Sequence, residues 1–412
     1  MSKEPDTATQ TMKAATTKKP IRRIRRRANA NQIPDSITKN VDLIKAISST
    51  LPPDYEFEIF KTLWKIDQLE CKHIALQMPE GLLIYATVIG DILKRFCVKG
   101  TLTTVSVLGD VTYGACCIDD LGARALGADL LVHYGHSCLV PMTSTVVPCL
   151  YVFVEIRIDV QHFCECVCAT IEEDVPMELM GTVQFRSAVA EAAKLLSSEK
   201  YNRPCTIPQA KPLSPGEVLG CTAPTLPSDA KVMLFIADGR FHLEAAMIAN
   251  PQVRALRYDP YSKVLTEEGY ETDKMKDIRH RAIEKSRTAK TFGIVLGTLG
   301  RQGNPAIVTG IRKKLREHGK RSFVLLLSEI FPRKLDMLPQ ADAWVQVACP
   351  RLSIDWGHFF KKPVLSPYEL EVCLGNTEWK QTYPMDFYSN GSGEWTNYHE
   401  KNKGRVATIG SD

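Results

Sequence analysis

No C-x2-C pair occurs anywhere in the 412 residues, so the tight local spacing of ferredoxins, zinc ribbons and zinc fingers is missing. No apolar run approaches the roughly 18 residues that a membrane-spanning helix needs. The opening Met1-Ser-Lys-Glu-Pro-Asp-Thr7 is polar and holds no signal-peptide core, which predicts that the chain is not secreted. The first 40 residues contain no aromatic side chain. The remainder of the chain lacks a basic excess. Residues 1–40 carry ten Lys and Arg against Glu4, Asp6 and Asp35, a balance of +7, while the whole chain is +5, so the other 372 residues sum to about −2. A nucleic-acid-binding domain usually carries its positive charge on the fold itself, so direct nucleic-acid binding is not expected.

What is present is ordinary for a globular protein, with 44% hydrophobic and 24% charged residues. The length exceeds one hydrophobic core and predicts two or three domains. A cytoplasmic location is expected, where the thirteen cysteines stay reduced and form no disulfide framework. Residues 1–40 read as a disordered basic tail, because they cannot bury enough surface to order themselves. The run Arg22-Arg-Ile-Arg-Arg-Arg27 would also suit nuclear import.

From residue 41 apolar runs alternate with helical patterns. Residues 41–48 read as a short amphipathic helix, 73–78 as a buried strand stopped by Pro79-Glu-Gly81, and 82–96 as a helix. Residues 103–108 form a second strand, 118–126 a helix, and 129–133 and 150–154 further strands. Residues 176–198 are read as one long helix. Then come strand 231–237, charged helix 270–289, strand 291–296, helix 306–317, and strands 323–327 and 343–347. Such alternation predicts an α/β fold built from βαβ units with parallel sheets. Three such blocks are counted. Beyond residue 375 the chain turns polar, with Trp379, Tyr383, Phe387 and Trp395 reading as exposed, so 376–412 is expected to be an irregular C-terminal tail packed on the body.

Three cysteines stand at the ends of apolar runs, one per block: Cys116 in Gly109-Asp-Val-Thr-Tyr-Gly-Ala-Cys116, Cys221 in Val218-Leu-Gly-Cys-Thr222, and Cys349 in Trp344-Val-Gln-Val-Ala-Cys-Pro350. More than a hundred residues separate neighbours, so only tertiary structure could bring the sulfurs together. Three converging thiolates would suit a metal cluster with one coordination position open. Cys117 adjoins Cys116 and either could ligate. Cys164, Cys166 and Cys168 would share a face only on a strand, and they read more simply as small buried hydrophobes.

The segment Leu296-Gly-Thr-Leu-Gly-Arg-Gln-Gly303 follows a strand and precedes a helix. Its glycines would free backbone amides to face an anion, although a tight turn alone would also need them. It is neither a G-x-G dinucleotide fingerprint nor a G-x4-G-K loop. Gly297, Gly300, Arg301 and Gln302 are therefore candidate cofactor-binding residues, with Arg301 and Gln302 suited to a ligand carboxylate. Other polar groups at strand ends, where open α/β sheets bind ligands, are Gln77, Glu80, His133, His136, Asp238, Arg240, His242, Ser328, Glu329, Arg351 and Asp355. Arg351, two residues after Cys349, is the strongest of these.

Tyr113-Gly-Ala-Cys116, residues 131–137 (LVHYGHS), 211–221 (KPLSPGEVLGC), 238–244 (DGRFHLE), Gly297-Thr-Leu-Gly-Arg-Gln-Gly303 and 347–356 (VACPRLSIDW) closely resemble the eukaryotic diphthamide biosynthesis subunit 1 family, over residues 60 to 390. The resemblance implies three related α/β domains around a central cluster site: 41–162 with Cys116, 163–285 with Cys221 and 286–375 with Cys349. It selects those three cysteines as ligands of a [4Fe–4S] cluster. It further implies a transferase that moves the 3-amino-3-carboxypropyl group of S-adenosylmethionine to imidazole carbon 2 of a histidine in elongation factor 2, by a non-standard radical route. The implied partners are a paralogous subunit 2 in a heterodimer, an electron-donor protein and elongation factor 2, with no membrane. The alternatives are a non-catalytic metal-binding scaffold and an ordinary nucleotide-dependent enzyme using the Gly297 loop.

Overall fold

A computed structural model describes residues 32–109, 117–137, 140, 142–389 and 391–403. Three sheets dominate. The first has the order Thr104–Leu108, His73–Gln77, Leu130–Tyr134, Cys149–Val152, with every pairing parallel. The third has Arg321–Leu327, Thr291–Gly297, Ala343–Val347, Val364–Leu365, again all parallel. The second runs Cys205–Thr206, Met177–Gly181, Val232–Ile236, Arg254–Asp259 in parallel, and an antiparallel Val264–Glu268 completes it. Counted along the chain within each sheet, all three share the strand order 2-1-3-4. One wiring is used three times. A two-stranded ribbon, Tyr55–Glu56 against Glu155–Ile156, lies outside them. Among the described residues no helix is long and apolar enough to cross a membrane.

The central strands Leu130–Tyr134, Val232–Ile236 and Ala343–Val347 are buried at every position. Strands of a parallel sheet covered on both faces read as continuous apolar runs, which is why these were visible in the sequence. Two sheets share a clamp at the strand starts. Asp129 Oδ2 accepts the N–H groups of Lys72 and His73 at 2.8 and 2.9 Å. Asp342 Oδ2 accepts those of Lys290 and Thr291 at 3.0 and 2.9 Å. In each case an aspartate just before the third strand fixes the start of the first.

The first sheet has its own core, including Leu63, Ile74, Leu76, Ile89 and Val132. The second and third sheets share one, in which Met233, Phe235 and Leu243 meet Phe292, Ile294, Val345 and Tyr368. Beside it lies a fully buried ion pair. Arg279 donates to both oxygens of Glu369 at 2.7 Å and to the Val364 carbonyl at 2.6 Å. Glu369 also closes a capping box with Ser366 and accepts from Tyr383 Oη. Helix Thr272–Arg287 is thereby pinned to helix Pro367–Cys373.

The structure corrects three expectations. Residues 176–198 are not one helix: strand Met177–Gly181 leads through a short turn to helix Arg186–Leu196. A five-residue apolar run cannot be assigned by periodicity, and here the centre of a sheet decides it. Cys164, Cys166 and Cys168, as expected, serve as small apolar residues: they lie on helix Val160–Thr170, where residues two apart are about 200° apart around the axis, and pack on the core of the second sheet. Tyr383 and Phe387 are buried, and Trp379 and Trp395 pack against the shared core. The expected disordered tail ends earlier than residue 40, since Asp35–Thr38 is helical with Ile37 buried against the first core. Residues 1–31, Cys116 and 404–412 lie outside the described residues.

The Asp clamps carry a pH signature. Backbone N–H bonds hold the carboxyls of Asp129 and Asp342 below the usual range. Their stabilisation is present above the unfolded value near 3.9 and fades as pH falls through the lower folded value. Asp342→Ala should therefore lower the thermal midpoint at pH 7, and the gap to wild type should narrow below about pH 4. A gap that stays constant from pH 7 to pH 3 would contradict the clamp.

Candidate metal centre

Cys221 sits in a tight reversal, where Leu219 and Thr222 exchange backbone hydrogen bonds of 2.9 and 3.2 Å. The C-terminal segment runs over it: Thr222 bridges Asp386, and the Ala223 N–H donates to the Met385 carbonyl at 3.1 Å. Leu213, Leu219, Phe387 and Tyr388 pack around Cys221, which is buried. Burial pushes its thiol well above the usual value, and the neighbouring Cys349 and Cys117 add to this while Arg351 opposes it. Cys221 thus has a cysteine from each of two distant parts of the chain among its neighbours.

Cys349 leaves the strand Ala343–Val347 and precedes the helix Arg351–Trp356. Burial raises its thiol to about 11, against the pull of the N–H groups of Arg351 and Leu352. Cys117 is buried, with Sγ 3.4 Å from Tyr388 Oη. Its carbonyl accepts from Gln77 Nε2 at 2.8 Å, while Gln77 Oε1 accepts the Asp119 N–H at 2.9 Å. Gln77, a predicted strand-end group, is therefore a brace for the cysteine loop. Cys116, the expected ligand beside it, is outside the described residues. Among the described residues no three His, Cys, Asp or Glu side chains form a ready metal site.

Arg351 is 1% exposed and bonded on every side. Nε donates to Asp355 at 2.9 Å, Nη2 to Glu244 at 2.6 Å, and Nη1 to the carbonyls of Phe241 and Gly220 at 2.7 and 3.4 Å. Its guanidinium lies 4.3 Å from the Phe241 ring centre. Gly220 precedes Cys221, and any Cβ there would run into the Phe241 ring.

The glycine loop is a joint between the first and third sheets. Gly300 has φ +53°, and a Cβ on it would stand 2.8 Å from the Ile118 carbonyl oxygen. A Cβ on Gly297 would stand 2.8 Å from Ala348 Cβ, and Gln302, buried, packs against Gly297. Arg301 donates to both oxygens of Asp120 at 2.6 and 2.8 Å, with the Asp120 side chain fully buried. Asn304 caps the following helix, its Oδ1 accepting the Ala306 N–H at 2.9 Å.

Of the other strand-end groups, His133 and His136 lie with ring centres 6.4 Å apart. Burial lowers His133 to about 3, and burial with the nearby His136 lowers His242 to about 3, so His136 neighbours each of the other two. Arg240 pairs with Glu244 and Glu268, and Glu329 with Lys334 on an exposed edge. The closing segment from Tyr383 to Tyr398 was not anticipated as part of the site. Its aromatic spacing was the available signal.

The sequence pattern of the diphthamide synthesis protein family matches residues 78–384. The chain belongs to this family. It is 54% identical over 377 residues to 2-(3-amino-3-carboxypropyl)histidine synthase subunit 1 of Homo sapiens, covering 91% of this chain and 84% of that protein. The same-named protein of Schizosaccharomyces pombe is 48% identical over 380 residues, covering 91% and 86%. Among solved structures, Dph2 from Pyrococcus horikoshii with a 4Fe-4S cluster matches with a TM-score of 0.65 and 28% identity, covering 80% of this chain and 93% of that one. The donor set of this diphthamide-family chain is compatible with such a group, because Cys349 and Cys117, from separate sheet units, both neighbour Cys221.

The Arg301–Asp120 pair is testable apart from any metal. Removing one partner of a buried pair costs about 3–5 kcal/mol, since the other is left charged and unpaired. Arg301→Ala should shift the denaturation midpoint strongly, and adding Asp120→Ala should cost much less than the sum of the single changes. Strict additivity in that cycle would refute the joint.

Proposed function

We propose that this chain is the cluster-bearing catalytic subunit of an enzyme that transfers the 3-amino-3-carboxypropyl group of S-adenosylmethionine to imidazole carbon 2 of a histidine in elongation factor 2, the first step of diphthamide formation. Cys221 and Cys349, with Cys116 as the third, would hold a [4Fe–4S] cluster with one open iron. When bound, that group would supply the electron that splits a carbon–sulfur bond of the co-substrate by a radical route, leaving methylthioadenosine. The observation that supports this reading is that Cys349, from the third unit, and Cys117, from the first, are both neighbours of Cys221 in the second. The names of the relatives and the cluster-bearing Dph2 structure support it.

The chain's own residues supply the enclosure. Pro350, Ile354, Tyr383, Met385 and Phe387 line a crevice at Cys221 with mostly apolar walls. Arg351, two residues after Cys349, donates to the Gly220 carbonyl just before Cys221. Boundaries at 41–162, 163–285 and 286–375 divide the chain so that each domain contributes one ligand. The partners in this reading are a paralogous subunit 2, an electron-donor protein and elongation factor 2, in the cytoplasm, with the basic run at 22–27 permitting nuclear entry.

Anaerobic purification should yield a brown complex with about one cluster per copy of this chain. Cys349→Ala and Cys221→Ala should each lose iron and methylthioadenosine production. Full iron content and turnover in either variant would overturn the assignment. A colourless preparation with stoichiometric zinc and no methylthioadenosine would favour a metal-binding scaffold instead.

A further inference from the structure

The end of the third sheet opposite Cys349 carries a concentrated charge. Residues 287–290 and 312–321 hold eight Lys and Arg against Glu317, a balance of +7. The body from residue 41 sums to about −2, so everything else in it is near −9. The two segments are joined at the starts of paired strands. The Arg321 N–H donates to the Lys290 carbonyl at 2.9 Å, and Thr291 lies opposite Arg321 in the register. Lys320 Nζ donates to the carbonyls of Arg287 and Ala289 at 2.9 and 2.6 Å, while its N–H donates to the Leu315 carbonyl at 2.8 Å. One continuous rim results, formed by the ends of helices Thr272–Arg287 and Pro305–Glu317 and the strands that follow them.

Folding leaves much of this charge unused. Lys314 turns inward to Glu371 and Glu394, and Arg287 is held by Glu284 and the Cys373 carbonyl. Cations in a last helical turn also answer the helix dipole, which gives Arg316 a local role. Lys290, Arg312 and Arg321 stand outside those turns, and all three are exposed. Arg312 and Arg316, four residues apart, form one exposed stripe. Lys313 reaches Glu317 only at 3.8 Å. Arg321 has Asp342 nearby, whose carboxylate already serves the N–H groups of Lys290 and Thr291. Among the described residues no hydrogen bond or ion pair engages the side chains of Lys290, Arg312 or Arg316. Gathered like charges repel one another, so the rim calls for a partner of opposite sign.

Of the partners in the function proposed above, the rim suits one. A permanent partner subunit is held through a large apolar interface. An electron donor must approach the cluster, yet the seven-residue strand Thr291–Gly297 sets the rim about 23 Å from the cysteine end. A protein substrate must bind, react and leave, and one histidine is a small handle. Exposed charge gives it contacts that form fast and break fast. Neither segment contains Phe, Tyr or Trp to stack a nucleic-acid base, and a long phosphate chain would run off the rim onto an otherwise acidic body. A bounded acidic surface fits better. We propose that this rim docks an acidic surface of the protein substrate and holds it while its histidine reaches the cysteine end; this rests on the function proposed above.

Binding of unmodified elongation factor 2 to the anaerobic cluster-loaded complex, followed by interferometry at low and high salt, tests this. The double variant Arg312→Glu/Arg316→Glu reverses the exposed stripe without touching a buried contact. It should weaken binding about ten- to a hundredfold at about 0.05 M salt, and the gap should close at about 0.5 M, where screening is strong. In turnover it should raise the KM for elongation factor 2 and leave kcat little changed. Arg312→Gln/Arg316→Gln, which removes the charge without reversing it, should fall between. Unchanged affinity of the Glu variant at low salt would overturn the proposal and leave the proposed function standing. A loss equal at both salts would overturn it too, by showing a change of shape. Weakened binding of an RNA duplex of about 20 base pairs, with elongation factor 2 spared, would overturn it in favour of a phosphate backbone. Failure of the wild-type complex to bind or modify elongation factor 2 at either salt would remove the proposed function and this inference together.

Discussion

One guanidinium links the segments that carry Cys221 and Cys349. Arg351 follows Cys349 by two residues and bonds the carbonyl of Gly220, which precedes Cys221. An unpaired guanidinium at 1% exposure would cost several kcal/mol, so the helix end carrying Glu244, the Phe241 carbonyl and Asp355 must all be in place around it. A lysine could not substitute, because the planar fork and the stacking on Phe241 need a guanidinium. Gly220 is required for the same reason, since a side chain there would displace the Phe241 ring. The position of each cysteine is therefore a consequence of the other's.

The first sheet is held differently. Its apolar core is separate, whereas the second and third sheets share theirs. What attaches it is directional: Arg301 to Asp120, Gln184 to the Gly135 carbonyl, and Tyr55 Oη to Tyr261 Oη at 2.5 Å. Hydrophobic packing tolerates small slides, but a bidentate ion pair with one partner buried does not. That suits a unit whose cysteine loop must meet ligands from elsewhere. Gly300, pressed against the Ile118 carbonyl, places the Arg301 loop directly on the segment that follows Cys117.

The buried central strands and the strand-end position of Cys349 were legible because a continuous apolar run that stops at a polar turn is what a parallel strand covered on both faces must look like, whereas Cys221 sits in a tight reversal outside the strands. The threefold 2-1-3-4 wiring was not. Met177–Gly181 merges into a helix-like pattern, Cys205–Thr206 has two residues, and Arg254–Asp259 mixes charge with apolar positions. Arg301 was recognisable as a loop arginine, but its partner lies 181 residues away and leaves no local trace. The aromatics after residue 375 read as exposed because their neighbours are polar. Their burial is set by tertiary contacts, which hydropathy does not encode.

That closing segment shows how assembly and site depend on one another. Its described residues from Tyr383 to Tyr398 form no helix or strand, so their order must come from what they touch. Tyr388 meets Cys117 of the first unit, Phe387 packs on Cys221 of the second, and the Asn397 carbonyl accepts from Asn304 of the third. Tyr383 returns to the buried Glu369. Fixing such a stretch costs about 1–2 kcal/mol of backbone entropy per residue, which contacts to any one unit would hardly offset. The segment can settle only where all three units already stand together. Enclosure of Cys221 follows from that assembly, so a defect at any junction opens the site before it unfolds the sheets.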